Sequence, residues 1–323
     1  NNPAASVYHR VEWRDLIKHT YGNDGLYFAA CASNGAIVGI LPLIRLKSRL
    51  FGDYLVSMPY FGTGGAVADH PGIETRLIQA ANVHASRLAI DYIEYRDDTP
   101  RSGLPTRSDK VNMILNLPDS SNELWNGFSS KLRAQIRRSR REAPVLLRGH
   151  EEYLNDFYAV YSHNMRDLGS PAHSRTFIRN ILHSFRDESS LVVVRLGNRP
   201  VSAALLIRNG NCLDIPLAST LRAVNRLGIN MVMYWEVLKH AADNGYRWFN
   251  FGRSTKNTGT FSFKQQWGAR EKPLYYHYWL GSSNELPGHS PSNPKYAMAI
   301  STWKHLPVPV TRWLGPLIVN KLP

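Results

Sequence analysis

The sequence contains little cysteine and no pattern of paired metal ligands. Cys31 and Cys212 are its only cysteines, and they lie far apart in the chain. Two free thiols are therefore expected, without a disulfide framework or a zinc site. The twelve histidines are equally scattered, so no metal is expected.

Several patterns that would indicate a membrane-spanning protein or a common enzyme class are also missing. No apolar run approaches the ~20 residues that span a bilayer, and the amino end shows no signal-peptide pattern. A cytoplasmic location is expected. The Gly-Thr-Gly-Gly stretch at 62–65 lacks the Gly-Lys-Ser/Thr ending of a phosphate loop. No Gly-x-Ser-x-Gly motif or Cys/His pairing indicates a hydrolase.

Acidic residues are scarce relative to basic ones. The chain has 39 Lys and Arg against 25 Asp and Glu, a formal net charge of +14. Such a charge favours polyanionic partners, namely nucleic acid, CoA phosphates, nucleotide-linked substrates or anionic lipid. The alternative is that the excess arginine only keeps the protein soluble.

The first part of the chain reads as an α/β domain over 1–118. A helix is predicted at 7–19, with Val7, Val11, Leu16 and Ile17 facing inward. Apolar runs at 26–32 and 36–46 flank Asn34-Gly35, a two-residue hairpin signal. Further predicted elements are a strand at 54–58, a helix at 72–88, and strands at 92–95 and 111–115.

A basic helix is predicted to link two domains over 119–144. Ser120 and Glu123 fit a capping box, and Pro144 should stop the helix. One face is apolar, and the other carries Lys131, Arg133, Arg137, Arg138, Arg140 and Arg141. That face is either a phosphate-binding surface for tRNA or CoA or an ordinary solvated face.

The first pattern is expected to recur in a second domain over 145–282. The predicted elements are a strand at 145–147, helices at 151–167 and 175–185, a hairpin at 191–208, a strand at 212–217, a helix at 228–244, and strands at 248–251 and 274–280. A Pro-rich helical tail follows at 283–323. Its apolar residues recur at helical spacing beside Arg312 and Lys321: Val310, Trp313, Leu314, Leu317 and Ile318. The tail either contacts the inner membrane face peripherally or packs on its own domain.

One segment resembles a known family. It reads Asn250-Phe251-Gly252-Arg253-Ser254, followed by Gly259-Thr260-Phe261-Ser262-Phe263-Lys264-Gln265-Gln266-Trp267-Gly268. This string resembles the FemAB family, and most of all the FemAB-related proteins of exosortase/PEP-CTERM exopolysaccharide systems. Three further stretches support the resemblance: the residues 165–171, the basic segment 131–138, and Asn293-Pro294-Lys295-Tyr296.

The resemblance implies a fold and a reaction. The fold is α/β, two tandem GNAT-like domains with mixed sheets flanked by helices. The reaction is transfer of an acyl or aminoacyl group to an amine of a cell-envelope precursor, either a peptidoglycan peptide or an exopolysaccharide-related molecule. The donor is acyl-CoA or aminoacyl-tRNA, and no tightly bound cofactor is implied. The alternative function is a non-catalytic binding module for anionic glycan, lipid or nucleic acid. The oligomeric state is not predicted.

The same motif supplies candidate site residues. Lys264 matches the family's Phe-Lys motif, and a cation there would steady the developing oxyanion or the donor's phosphates. We expect this lysine to be polar and partly exposed. Arg253 and Ser254 follow a strand, where open α/β sheets bind ligands. With Asn257 and Trp267 they are predicted to bind substrate; the alternative for the strand-end pair is a simple cap.

A second group of candidates lies before and within the helix at 228–244. GNAT enzymes place a Gln/Arg-x-x-Gly-x-Gly/Ala loop at this point, which holds the CoA pyrophosphate at a helix start. Arg226, Gly228 and Asn230 are therefore predicted to bind substrate, although Asn225 and Asn230 depart from the pattern and a plain helix start is the alternative. Glu236 and Asp214 are the candidate general bases, or else salt-bridge partners.

Overall fold

The computed structural model describes residues 2, 4–49, 51–281, 286–287 and 297–322. These residues form two compact units. The first contains the described residues of Asn1–Val111, Lys272–Asn293 and Asn320–Pro323, and the second those of Asn112–Glu271 and Pro294–Val319. The stretch Asn293-Pro294-Lys295-Tyr296 lies outside the described residues.

The units are built from strands and helices in mixed order. The strands are β1 (Gly25–Cys31), β2 (Ile37–Ser48), β3 (Gly52–Val56), β4 (Val67–Ala68), β5 (Tyr92–Asp97), β6 (Thr106–Arg107), β7 (Lys110–Asn116), β8 (Val145–Gly149), β9 (Ser189–Leu196), β10 (Arg199–Asn209), β11 (Cys212–Thr220), β12 (Trp248–Thr255), β13 (Arg270–Pro273) and β14 (Tyr275–Leu280). The α-helices are α1 (Glu12–Tyr21), α2 (Pro71–Arg87), α3 (Ser121–Gly127), α4 (Ser130–Arg140), α5 (Leu154–Leu168), α6 (Arg175–Ser184), α7 (Ile229–Asp243), α8 (Gly259–Gln265), α9 (Ala297–His305) and α10 (Val308–Val319).

The first unit has a mixed sheet in the order β1-β2-β3-β5-β14-β6, with β4 beside β2. Its pairs are antiparallel except β3 with β5, which is parallel. Helix α2 packs its apolar stripe on β1 and β2. The core there includes Leu41, Leu43, Leu55, Leu77 and Ala81, all buried.

The second unit has a sheet in the order β13-β7-β12-β11-β10-β9-β8. Strands β8 to β11 form an antiparallel meander, and β11 pairs with β12 in parallel. Helices α5 and α7 both pack on this sheet. A parallel pair needs a crossover connection, and α7 supplies it.

The structure corrects the sheet membership of two predicted strands. The strand expected at 111–115 in the first domain is β7, which pairs in the second sheet, and the strand expected at 274–280 in the second domain is β14, which pairs with β5 in the first. Apolar runs indicate a strand but not its partner. In β14 the partner is fixed by side-chain contacts as well, since the Tyr278 hydroxyl donates to Glu94 Oε2 at 2.7 Å. The domain boundaries at 118, 144 and 282 stay predictions.

The predicted basic helix is also corrected. It is two helices, because Ser129 has extended ψ of 150° and its side chain caps α4 by accepting from the Leu132 N–H. The predicted cap at Ser120 is present and accepts from the Glu123 N–H. Helix α4 packs against α7, so it is an element of the second unit.

Two local predictions near the amino end are wrong in detail. The helix expected at 7–19 is a short 3-10 helix, Val7–His9, followed by α1, and Val11 between them is 45% exposed instead of facing inward. The β1–β2 hairpin closes by a bond from the Ala32 N–H to the Ala36 carbonyl, which leaves a three-residue loop at 33–35 with Gly35 at φ +82°.

Candidate functional site

The crossover from β11 through α7 to β12 brings the ends of two strands and the start of a helix to one edge of the second sheet. Because β11 and β12 are parallel, the carboxyl ends of both strands lie at this edge, and the helix that follows β11 begins there. Ligands of open α/β sheets bind at such an edge. The predicted candidates Arg226, Gly228, Arg253 and Ser254 all come from these segments.

The two strands pair over only part of their length. The parallel register joins Cys212, Leu213 and Asp214 to Trp248, Phe249 and Asn250, although β11 continues to Thr220 and β12 to Thr255. Gly252 adopts φ +75°, and its N–H donates to Asn250 Oδ1 at 2.9 Å. The β12 backbone therefore turns out of regular strand geometry two residues after the ladder to β11 ends.

Lys264 binds the backbone of β12 at this turn. Its Nζ donates to the carbonyl oxygens of Gly252 at 2.9 Å and Arg253 at 2.8 Å. The side chain is 8% exposed, so the expectation of a partly exposed lysine is wrong. Helix α8, which is capped by the Thr258 side chain, directs Lys264 inward to these carbonyls. An ammonium has three N–H donors, and these two bonds use two of them.

The site carries concentrated positive charge. Burial and, to a lesser degree, the nearby charge of Arg253 together lower the pKa of Lys264 from 10.5 to about 8. A buried ammonium beside a guanidinium is stabilised by an anion, because opposite charge offsets both the desolvation and the repulsion. The geometry therefore suits an oxyanion, a phosphate or a carboxylate.

The remaining candidates of the motif differ in exposure. Ser254 is 5% exposed, and its hydroxyl makes no hydrogen bond within the described residues. Asn257 lies in the exposed loop before α8 with φ +61°. Trp267, just after α8, is buried. Its ring centroid lies 6.0 Å from that of Tyr234 and 5.6 Å from that of Phe128, so it packs in the core beside α8. Substrate contacts of these residues stay hypotheses.

The chain packs closely against Gly228 at the start of α7. This residue has φ +68°, and a Cβ on it would lie 2.6 Å from Ser139 Oγ of α4. Only glycine meets both conditions without strain. Arg226 is exposed just before the helix and Asn230 is half-buried in its first turn. The Gln266 side chain lies 3.9 Å from Met231 Sδ, so the end of α8 adjoins the first turn of α7.

The two candidate general bases, Glu236 and Asp214, differ in their contacts. The Glu236 carboxylate is ion-paired with Arg140 at 2.5 Å. Asp214 is 2% exposed, and its carboxylate contacts Cys212 Sγ at 3.3 Å and Asn209 Nδ2 at 3.5 Å, on the side of the β10–β11 turn. Their catalytic roles stay untested predictions.

Two residues near the site, Asn250 and Ser139, were not predicted from the sequence. Asn250 shapes the turn at Gly252, and an Asn two residues before a glycine at a strand end is a weak signal for it. Ser139 lies close to Gly228 before α7, but nothing local marks a helix serine as the neighbour of a distant glycine. Within the described ranges, no group of three or more His, Cys, Asp or Glu side chains is placed to hold a metal ion.

Comparison with known proteins agrees with this architecture. Residues 130–265 match a family model described as an acetyltransferase (GNAT) domain. No curated protein matches the sequence.

Solved structures are similar in fold. A crystal structure of FemX has 15% sequence identity and a TM-score of 0.66, and the match covers 86% of this chain and 93% of FemX. The C-terminal domain of a putative lysylphosphatidylglycerol synthetase from Agrobacterium fabrum has 13% identity and a TM-score of 0.54, covering 77% and 83% of the two chains. A tandem GNAT protein from the clavulanic acid biosynthesis pathway has 10% identity and a TM-score of 0.50, covering 83% and 93%.

These matches agree with the predicted fold of tandem GNAT-like domains. They favour the enzyme over the non-catalytic binding module, because the matched model is that of a transferase domain. With residues 130–265 similar to a GNAT acetyltransferase domain, the chain is an enzyme of the acyltransferase class.

Proposed function

We propose that this enzyme transfers an acyl or aminoacyl group to an amine of a cell-envelope precursor. The observation that carries the proposal is the buried Lys264 ammonium beside Arg253 at the carboxyl end of β12. The acceptor is either a peptidoglycan peptide or an exopolysaccharide-related molecule. The resemblance of 249–268 to FemAB proteins, and the fold shared with FemX, support this acceptor class.

The role assigned to Lys264 is to stabilise the transition state of acyl transfer. The amine nitrogen attacks the acyl carbonyl, and the carbonyl oxygen becomes an oxyanion. The N–H of Lys264 that is not used by Gly252 and Arg253 donates to this oxygen. Collapse forms the amide and breaks the bond to the donor's sulfur or oxygen, and the amine proton passes finally to that leaving group. Preorganised donors of this kind contribute about 10²–10³ in rate.

Acyl-CoA is the donor that the GNAT fold favours. The first N–H groups of a helix have no partner within it, and phosphates bind at such helix starts. In α7 the Met231 N–H already donates to the Gly228 carbonyl at 2.8 Å, so the N–H groups of Ile229 and Asn230 are the ones that would contact a phosphate. The exposed guanidinium of Arg226 adds positive charge beside them. The competing donor is aminoacyl-tRNA, and the exposed cations of α4, which are Lys131, Arg137, Arg138 and Arg140, are the surface that would contact its phosphates.

We also propose a subfamily and an acceptor for this enzyme. The motif strings of the chain support membership of the exosortase/PEP-CTERM-associated branch, with an exopolysaccharide-related acceptor. If so, the purified enzyme modifies an amino sugar in preference to a peptidoglycan peptide, and the reverse preference contradicts the assignment.

Calorimetric titration with each donor separates the two candidates. Acetyl-CoA and a mixed aminoacyl-tRNA preparation are titrated into the wild type, into Arg226→Ala, and into Arg137→Ala/Arg138→Ala. If the donor is acyl-CoA, Arg226→Ala should lower the affinity for acetyl-CoA. If the donor is aminoacyl-tRNA, Arg137→Ala/Arg138→Ala should lower the affinity for tRNA and reduce the dependence of that affinity on salt concentration. Binding of neither donor contradicts the proposed reaction.

A further inference from the structure

Helix α10 is held on the second unit by one side. Thr311 and Gly315 are buried, and a Cβ on Gly315 would lie 3.0 Å from the Ala172 backbone. The Arg312 Nε donates to Ser162 Oγ at 2.8 Å, and its guanidinium lies 5.7 Å from the ring centre of Tyr158. The orientation of α10 about its own axis is therefore fixed by close packing and by a charged side chain.

The opposite side of α10 is apolar and open to solvent. Val310, Trp313 and Leu317, which we call the α10 face, are spaced three and four residues apart and so share one side of the helix. They are 37%, 71% and 60% exposed. Met298 of the preceding helix α9 is 81% exposed. Large apolar side chains gathered on one exposed stripe mark an interaction surface.

The sequence around the α10 face has no acidic residue, since 297–322 contains neither Asp nor Glu. Of its Lys and Arg residues, Lys304 is exposed, whereas Arg312 donates to Ser162 and the Lys321 Nζ donates to Asn23 Oδ1. An exposed tryptophan with aliphatic neighbours suits the headgroup level of a bilayer, and an exposed lysine such as Lys304 is attracted to anionic lipid. No helix in the described part of the chain is long and apolar enough to cross a bilayer, which leaves contact in the plane of the membrane surface.

We propose that the α10 face is a membrane-docking surface that inserts Trp313 and Leu317 into the headgroup region of an anionic bilayer. The proposal goes beyond the transfer reaction and does not depend on it. A surface of this kind would present the second unit to an acceptor that is attached to lipid. A second copy of the chain on the same face is the competing occupant.

Vesicle sedimentation tests the proposal with the full chain. The wild type, Trp313→Ser/Leu317→Ser and a control are mixed with vesicles of phosphatidylglycerol and phosphatidylcholine, or of phosphatidylcholine alone. The control is Ile37→Ser/Val83→Ser, which removes two exposed apolar side chains elsewhere, 65% and 54% exposed. Circular dichroism and thermal unfolding check that each variant is folded.

The expected result is binding of the wild type and the control to the anionic vesicles, weakened at high salt. The α10 variant should bind at least about tenfold more weakly, since two inserted apolar side chains are lost. Equal binding of the α10 variant, or no binding of the wild type, overturns the proposal. So does a wild-type dimer in light scattering that the α10 variant converts to monomer, because a second copy then covers the face.

Discussion

The Nζ of Lys264 lies 2.9 Å from the carbonyl oxygen of Gly252, and this contact joins the catalytic candidate to the backbone of the strand that ends in the site. Gly252 turns the backbone out of regular strand geometry at φ +75°, and Lys264 binds the carbonyls at the turn. The same ammonium is therefore a support for β12 and a source of positive charge in a buried place. Its two roles can be separated by experiment because they respond differently to pH and to ligand.

The buried charge predicts how stability depends on pH. The pKa of Lys264 is about 8 in the folded protein, below its ordinary value of 10.5. The unfolded state thus binds more protons between these values, and stability rises with pH across this window. The difference in unfolding free energy between the wild type and Lys264→Met should grow by the order of 3 kcal/mol from pH 8 to pH 10.5. Urea unfolding at a series of pH values measures it.

Lys256→Met is the matched control for that series. Lys256 lies in the loop between β12 and α8, but it is exposed and paired with Glu271 at 3.3 Å. The variant removes an exposed ammonium close to the site and so controls for the loss of a lysine from this part of the chain. A difference between the wild type and Lys264→Met that does not change with pH would mean that Lys264 is not buried.

Donor binding should be coupled to proton uptake. An anion beside Lys264 and Arg253 favours the charged form of the lysine and raises its pKa. At pH 8, where about half of the Lys264 side chains are neutral, binding of an anionic donor should take up as much as about half a proton. Titration calorimetry in buffers of different ionisation enthalpy measures this number. Lys264→Met should bind without this uptake, and uptake that persists in the variant assigns it to another group.

The close approach at the start of α7 predicts unequal effects of two glycine substitutions. Gly228→Ala meets both a positive φ and the Ser139 Oγ at 2.6 Å, whereas Gly245→Ala meets a positive φ of +75° with no atom of the described residues within 4 Å of the new Cβ. Gly245→Ala should cost about 1–2 kcal/mol, and Gly228→Ala should cost more and weaken donor binding. Equal losses in urea unfolding would show that the contact with Ser139 is unimportant.

The first unit offers a test of its buried ion pair. Arg96 is 1% exposed, and its Nε donates to Glu94 Oε1 at 2.7 Å. Arg96→Met leaves the Glu94 charge buried without its partner and should cost about 3–5 kcal/mol. The double variant Glu94→Gln/Arg96→Met should recover part of that loss. Arg107→Met, which removes a cation 5.7 Å from the Tyr278 ring, is the control and should cost less than about 1 kcal/mol.

Sequence patterns predicted most of the local structure, because hydrophobic period and turn residues are local signals. Helices α2, α5, α6 and α7 and the hairpin of β9 and β10 lie close to their predicted places. The partners of β7 and β14 were not predictable in this way, since strand pairing joins distant segments. The split between α3 and α4 depends on the conformation of Ser129, for which the continuous apolar stripe gave no sign.

The site residues Lys264, Arg253 and Ser254 stay a prediction. The structure shows that β12 and α8 supply them and that the expected exposure of Lys264 was wrong. The sequence did not show the burial of Lys264 because α8 packs on a distant helix, α7, where Tyr234 contacts the neighbouring Phe263 with ring centroids 5.1 Å apart. Such tertiary packing overrides the ordinary preference of lysine for the surface.

The most direct test of the central claim is acyl transfer to an amine by the wild type and by Lys264→Met. Loaded donor, acetyl-CoA or aminoacyl-tRNA, is incubated with a peptidoglycan precursor peptide or an amino sugar, and the new amide is detected by mass spectrometry. The wild type should form the amide, and Lys264→Met should lose at least about a hundredfold in rate while its donor affinity stays within about tenfold. Equal rates for the two proteins, or no amide from either donor with either acceptor, would contradict the central claim.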